Sequence, residues 1–263
     1  MGLEIVNPVL GGGGVAVAVF VGILAFLAIG RRLGQRAIAR DGRPDPDADT
    51  SLETAVFALL GLLIAFTFSG GLTRFDLRRG QAVDEANAIG TAYLRIDLVP
   101  AAAQPRLREA FRNYVDSRIA TYKKVGDAQA VRQELARSQQ LQAEIWAQAV
   151  AATRAADSRA STDVLLFPAL NAMFDITTVR LAATQMHPPV VIYLMLVGLA
   201  FASALLAGHQ SARGRADRVH QIGFASIIAL TVYVILDIEY PRLGWVRIDA
   251  IDQVLIAVRA GMN

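Results

Sequence analysis

The sequence predicts an all-α membrane protein with four transmembrane helices and a helical bundle inserted between the second and the third. Hydrophobic residues make up 54% of the 263 residues and charged residues only 19%, so the chain is more apolar than an average soluble domain. The apolar residues are concentrated in four windows, most of them long enough to cross a bilayer. The segment between the second and third windows has instead the periodicity of amphipathic helices.

Residues 1–72 are predicted to hold the first two spans. The first covers about residues 9–30, contains no charged residue, and is followed rather than preceded by arginines. That order is the reverse of a signal peptide, so we expect a retained span. The second covers about residues 54–72, and the helical pattern continues beyond it. From Thr54 to Leu98 the chain is therefore predicted to form one helical rod, roughly 65 Å long.

Residues 73–187 are predicted to form a helical bundle outside the bilayer. The first bundle helix carries an apolar seam at alternating spacings of four and three residues. The seam consists of Ala82, Ala86, Ile89, Tyr93 and Ile96. Pro100 is expected to end that helix and Pro105 to begin the next. The segment shows no extended strand pattern, which favours an antiparallel bundle.

Residues 188–263 are predicted to hold the third and fourth spans, at about 190–208 and 220–237, and a C-terminal tail. The third span carries small residues four positions apart. One row is Ala200, Ala204 and Gly208, and a second row is Gly198 and Ala202. Small residues let helix backbones approach closely in lipid. We therefore expect a helix-packing face here, against a helix of the same subunit or of another.

The distribution of arginines predicts the orientation, because short cytoplasmic loops are rich in positive residues. The loops after the first and third spans carry eight arginines, whereas the two terminal segments carry three. The eight are Arg31, Arg32, Arg36, Arg40, Arg43, Arg213, Arg215 and Arg218. We therefore expect a multi-pass protein of a bacterial inner membrane, with both termini and the bundle outside the cytoplasm.

The second span carries a candidate pore-lining stripe. Its members follow one another at intervals of four residues: Leu60, Ile64, Phe68 and Leu72. In a ring of identical subunits such a stripe would form a hydrophobic constriction. It would equally suit contact with lipid or with another helix, and the sequence leaves these alternatives open.

Three arginines, Arg74, Arg78 and Arg79, lie directly after that stripe. One interpretation is a cationic collar that attracts anions to a pore mouth. The other is an interfacial anchor, held by lipid phosphates or by acidic residues nearby on the same helix. Positive charge is disfavoured beside a span on the outer face, so these arginines need partners of some kind.

Asp237 and Glu239 lie at the end of the fourth span. An acid at membrane depth is costly and suggests a functional role; alternatively, the two acids lie at the interface and pair with Arg242 or Arg247. The chain has no cysteine and three scattered histidines, and we find no common catalytic motif. We therefore expect no catalytic residues, metal or cofactor. The basic residues are not interleaved with aromatics, so we expect no nucleic-acid partner.

Three stretches resemble a known family: FALLGLLIAFTFSGGLTRFDLRR, the EANAIGTAYLR that follows, and ILDIEYPRLGWVRI near the C-terminus. They are similar to the bacterial bestrophin-like family, a four-span membrane domain of unknown function. A more distant resemblance links the chain to bestrophins, pentameric anion channels with an insertion between spans two and three. It implies a pore lined by Ile and Phe one turn apart, the spacing of Ile64 and Phe68. Bestrophins hold the insertion in the cytosol, the reverse of the orientation expected here.

The leading interpretation is a homo-oligomeric ion channel or pore, surrounded by membrane lipid and passing anions, with the second span lining the pore. A pentamer is the assembly that the resemblance implies. The alternative is a non-conducting membrane protein whose bundle senses or binds a partner in the cell envelope.

Overall fold

The computed structural model describes residues 8–42, 51–214, 218–241, 245–246 and 252–262. In these ranges the chain is almost entirely helical and contains no β-strand. The α-helices are α1 (Pro8–Asp41), α2 (Ser51–Leu94), α3 (Gln104–Lys123), α4 (Ala128–Thr153), α5 (Thr162–Gln185), α6 (Val190–Gln210), α7 (Arg218–Glu239) and α8 (Gln253–Ala260). The all-α prediction is therefore confirmed.

Four stretches of this helical chain are long and apolar enough to cross a membrane. They lie in α1, α2, the segment that contains α6, and α7, in agreement with the four predicted spans. The protein is accordingly a multi-pass membrane protein.

The helix α2 is one uninterrupted rod, as the sequence predicted. It runs from Ser51 to Leu94, passes through Gly70 and Gly71 without a break, and continues as a 3₁₀ turn over Arg95–Leu98. Its 44 residues correspond to roughly 65 Å of helix. The hydrophobic stretch and the arginines after it therefore belong to one continuous helix.

The chain divides into two compact units, and the first contains the spans. It comprises Met1–Arg74 and His187–Val246. In this unit α1 packs along both α6 and α7, with backbones in close approach, whereas α2 makes no comparable backbone contact with any described helix. The buried core is apolar: Val19, Ile23, Leu27, Leu60, Leu196, Ala200, Ala204, Ala225, Ile228, Ala229, Val232 and Ile235.

The second unit comprises Phe75–Met186 and Arg247–Asn263, and it is a helical bundle. Its largest fully buried side chains include Ile89 on α2, Phe111 and Tyr114 on α3, and Ile145 on α4. Asp127 caps α4 by accepting hydrogen bonds from the backbone N–H groups of residues 129 and 130, the usual role of an acid at this position.

The C-terminal helix α8 belongs to the bundle, not to the segment 188–263 in which the sequence analysis had grouped it. Leu255 is fully buried in the bundle core, and Met262 packs there too. Arg259 forms two hydrogen bonds to the carboxylate of Asp116 on α3, at 2.8 and 3.1 Å. The physical reason is amphipathicity: α8 needs an apolar partner, and α3 supplies one.

Candidate functional site

The predicted pore stripe on α2 does not stay on one face of the helix. Leu60 is 3% exposed and belongs to the core of the first unit, and Ile64 packs against that core. Phe68 and Leu72 are exposed. Each step of four residues rotates the position by about 40° around an α-helix, so three steps amount to about 120°. Leu60 therefore packs inside its own subunit, and the pore-lining role of the stripe stays a prediction.

A second series of residues is also left uncovered on α2 by its own subunit. Steps that alternate between three and four residues stay on one face, and such a series is exposed here. Its members are Leu59, Leu62, Phe66, Ser69 and Thr73. Phe66 is 68% exposed, so its ring lies outside the packing of the subunit. We call these five residues the open face of α2.

Arg74 is held by an ion pair inside the first unit. Its Nε lies 3.0 Å from both carboxylate oxygens of Glu239, and its Nη2 lies 2.8 Å from Oε2. Glu239 is only 1% exposed and is also in contact with Nδ1 of His187 at 3.0 Å. A buried carboxylate is costly unless it is paired in this way. Arg74 is therefore a structural partner of α7 and not a free cation.

Arg78 and Arg79 differ in their surroundings although they are adjacent. Arg78 is buried and donates to the backbone carbonyls of Ala183 and Met186, at 3.1 and 3.0 Å. These carbonyls lie at the C-terminal end of α5, where a cation is favourable. Arg79 is exposed, 3.4 Å from the carboxylate of Asp76. Of the predicted collar, only Arg79 presents an exposed charge.

Asp237 organises the chain after α7 through backbone hydrogen bonds. Its carboxylate accepts from the N–H groups of Trp245 at 3.0 Å and Val246 at 2.8 Å. Arg242 and Arg247, the partners considered from the sequence, lie outside the described residues. The described acids thus have structural partners: Glu239 binds Arg74 and Asp237 binds backbone.

The first small-residue row on α6 lies against α1 of the same subunit. A Cβ atom added at Gly208 would lie 2.2 Å from the carbonyl oxygen of Leu27, and one added at Gly30 would lie 2.0 Å from that of Leu205. The two backbones are therefore in direct contact, and Ala200 and Ala204 are fully buried beside them. The second row differs: Gly198 is exposed with open space around it, and Ala202 is partly buried.

A buried polar cluster ties the bundle together. Glu85 on α2 is fully buried and accepts hydrogen bonds from Arg118 at 2.6 Å, from Tyr122 at 2.8 Å, and from Arg180. Arg180 also stacks over the Tyr122 ring, 3.9 Å from its centroid. Burial raises the pKa of the Tyr122 hydroxyl and the adjacent carboxylate raises it further, so Tyr122 remains a proton donor. The cluster joins α2, α3 and α5.

One family model matches most of this chain. The model of the bestrophin-like domain matches residues 17–250 of the chain. The chain belongs to the bestrophin-like family. Neither the comparison with curated proteins nor that with solved structures found a match.

Sequence reasoning missed the most specific contact of this bestrophin-like protein. It expected Arg74 to pair with lipid or with acids of its own helix, and Glu239 to pair with Arg242 or Arg247. The two residues instead pair with each other across 165 positions of sequence. The available signal was positional: each lies where a predicted span ends, and the second and fourth spans cross the membrane in the same direction, so their ends lie at the same level.

No cluster suited to a metal emerges in the described ranges. There, no group of three or more His, Asp or Glu side chains is arranged to hold an ion. His187 faces Glu239 and stacks on Tyr240 with ring centroids 4.6 Å apart. The polar side chains of this bestrophin-like chain are arranged to join helices.

Proposed function

We propose that this bestrophin-like protein is a homo-oligomeric membrane channel in which the open face of α2 lines the pore. The observation that carries the proposal is that the span of α2 keeps one side exposed. Helix α1 packs closely on α6 and α7, whereas the span of α2 has no comparable neighbour among the described helices. A transmembrane helix with one side left exposed by its own subunit is free to turn that side to a shared axis.

The composition of the open face suits a gated pore. Leu59, Leu62 and Phe66 would form hydrophobic rings, and Ser69 and Thr73 would follow as polar rings nearer the arginines. Hydrophobic constrictions of this kind gate by excluding water. Five copies around the axis, the number that the family resemblance implies, would produce a narrow tube at the level of Phe66.

The proposed permeating ions are anions, and this part rests mainly on the resemblance to bestrophins. The structure supports anion permeation less than the sequence did, because Arg74 is hydrogen-bonded to Glu239 and Arg78 to a backbone carbonyl of α5. Arg79 is the member of the collar left to attract anions. Asp76 lies close enough to offset part of its charge.

The proposed location is a bacterial inner membrane, with the bundle and both termini on the extracytoplasmic side. The eight arginines in the loops after the first and third spans support this orientation. The partners of Arg74 and Arg78 support it too. Since both charges are neutralised or capped within the protein, they present little free positive charge on the outer face.

Flux from reconstituted vesicles tests the channel. We expect wild-type protein to pass chloride and Phe66→Ala to pass more, because the variant widens and wets the proposed constriction. Phe68→Ala is the matched control: two residues away, its side chain points to nearly the opposite side of α2, so its flux should equal that of the wild type. Folded wild-type protein without flux, or an effect of Phe68→Ala alone, would contradict the proposal.

A second candidate is the non-conducting protein whose bundle binds an envelope partner. The observation that favours it is exposed apolar surface in the bundle, at Leu94, Val164 and Leu165, since such patches mark interaction sites. A photo-crosslinker at position 164 separates the candidates. Crosslinks to another copy of the chain support the oligomer, whereas crosslinks to one different protein, together with absent flux, support the second function.

A further inference from the structure

The end of α1 beyond the first span carries a row of exposed arginines. The helix continues to Asp41, well past the last apolar residue of the span, Gly30. Arg32, Arg36 and Arg40 follow at intervals of four residues, all three are exposed, and no acidic residue lies between positions 31 and 40. Like charges at this spacing repel one another along a helix, so the row favours an anion beside it.

This row contrasts with the arginines of α2. Arg74 and Arg78 have partners inside the protein. Arg32 and Arg36 have no hydrogen-bond or ion-pair partner among the residues that the structure describes. Their guanidinium groups remain available to a ligand from outside the subunit.

The row is held in place by the packing around it. Gly34 lies so close to α6 that an added Cβ would be 2.5 Å from the carbonyl oxygen of His209. Arg31 is engaged in the same contact, because its Nη2 donates to the carbonyl of Gly214 at 3.0 Å. The exposed side of α1 therefore belongs to a rigid platform rather than to a frayed helix end.

The depth of the row decides which anion it meets. Along the helix axis, Arg32 lies about 3 Å and Arg36 about 9 Å beyond Gly30, at ~1.5 Å per residue. The headgroup layer of a bilayer is roughly 5–8 Å thick on each side. Arg32 therefore lies within the layer of lipid phosphates and Arg36 just beyond its outer edge, from which a long side chain reaches back into the layer, and Arg40 lies farther out.

We propose that Arg32 and Arg36 form a binding site for the phosphate of anionic phospholipids. A guanidinium group binds phosphate oxygens in bidentate fashion, and one turn of helix separates the two groups. Arg218 is also exposed, at the start of α7, in the loop that the arginine distribution assigns to the same side of the membrane. The proposed lipid site does not depend on ion conduction, so its test is independent of the test of the channel.

Spin-labelled lipids test the site on the whole protein in phosphatidylcholine vesicles. We expect the protein to retain labelled phosphatidylglycerol in preference to labelled phosphatidylcholine, and high salt to weaken that preference. The double variant Arg32→Gln/Arg36→Gln should lose about thirtyfold in preference, roughly fivefold for each arginine near an anionic surface. Arg32→Lys/Arg36→Lys, which keeps the charges, should retain most of it.

A charge-matched control excludes a general effect of net charge. Arg106→Gln/Arg132→Gln removes two exposed arginines from the bundle and should leave the lipid preference unchanged. Equal losses in both glutamine variants, or an unchanged preference in Arg32→Gln/Arg36→Gln, would overturn the proposal. Displacement of the lipid by inorganic phosphate, beyond that by chloride at the same ionic strength, would overturn it too, because it would indicate a site for soluble anions.

Discussion

The contact between α1 and α6 is tight enough that one methyl group should disrupt it. A Cβ atom at position 208 would lie 2.2 Å from the carbonyl oxygen of Leu27, whereas ordinary van der Waals contact begins at 3.4 Å. The obstacle is backbone, so no side-chain rotation relieves it. Gly208→Ala therefore requires the two helices to separate by about 1.2 Å, the difference between these distances.

The expected cost follows from overpacking. Forcing extra methyl groups into a packed interior typically costs about 1–3 kcal/mol, and a clash with backbone belongs at the upper end. An alanine gains at most about 1 kcal/mol over glycine in helix propensity. The net loss should be about 2 kcal/mol, which corresponds to a fall of roughly 4–8 °C in melting temperature for a chain of this size.

Gly198→Ala is the matched control on the same helix. A Cβ atom at position 198 meets nothing within 4 Å in its own subunit, so that variant should melt at or slightly above the wild-type temperature. The assay is thermal unfolding of the purified protein in detergent, followed by intrinsic fluorescence. Equal melting temperatures for Gly208→Ala and Gly198→Ala would refute the close approach of the two helices.

Three further predictions concern the ion pairs and the bundle. Arg74→Gln leaves a buried carboxylate without its bidentate partner and should lower stability by about 2–4 kcal/mol in the same melting assay. Leu255→Ala empties a fully buried position and should cost about 2–5 kcal/mol, measured as faster hydrogen exchange in α3. The hydrogen bond from Lys124 lowers the pKa of Glu134 below its ordinary 4.5. Glu134→Gln should therefore destabilise the α3–α4 contact at neutral pH, and its difference from the wild type in hydrogen exchange should disappear as the pH falls through the lowered pKa.

Controls for these variants come from exposed neighbours. Arg79→Gln removes an exposed arginine near Arg74 and should change stability by no more than about 0.5 kcal/mol. Leu94→Ala repeats the leucine truncation at an exposed position and should leave exchange in α3 unchanged. The assigned contacts would be contradicted if Arg79→Gln lost as much stability as Arg74→Gln, or if Leu94→Ala accelerated exchange in α3 as much as Leu255→Ala. A pH-independent difference in hydrogen exchange between Glu134→Gln and the wild type would contradict the Lys124–Glu134 contact.

Local patterns in the sequence were enough to predict the elements. Hydropathy over windows of about 20 residues depends on composition alone, so the four spans were predictable. The seam from Ala82 to Ile96 follows the period of an α-helix, and it predicted the continuation of the second span into the bundle. The close-packing role of Gly208 also follows from local spacing, because small residues four positions apart form one ridge.

The faces and partners of those elements needed the tertiary structure. A stripe at intervals of four, such as Leu60 to Leu72, rotates around the helix, and only the surrounding packing shows that Leu60 is inside and Phe66 outside. Arg74 has several acidic residues near it in sequence, yet Glu239 is its partner. Proximity along the chain does not predict such pairs, because a buried ion pair forms with the acid that lies at the same depth in the folded protein.

From its sequence alone, this chain is determined to be a four-span, all-helical membrane protein with a continuous rod through its second span, since periodicity and hydropathy are properties of short segments. The tertiary structure decided that α8 joins the bundle, that α2 keeps an open face, and that two of the three arginines after the second span bind partners far away in the sequence. These outcomes depend on which segments share a core. All apolar faces and buried charges of the protein compete for partners in these cores, so the sequence of one segment does not determine which partner it finds.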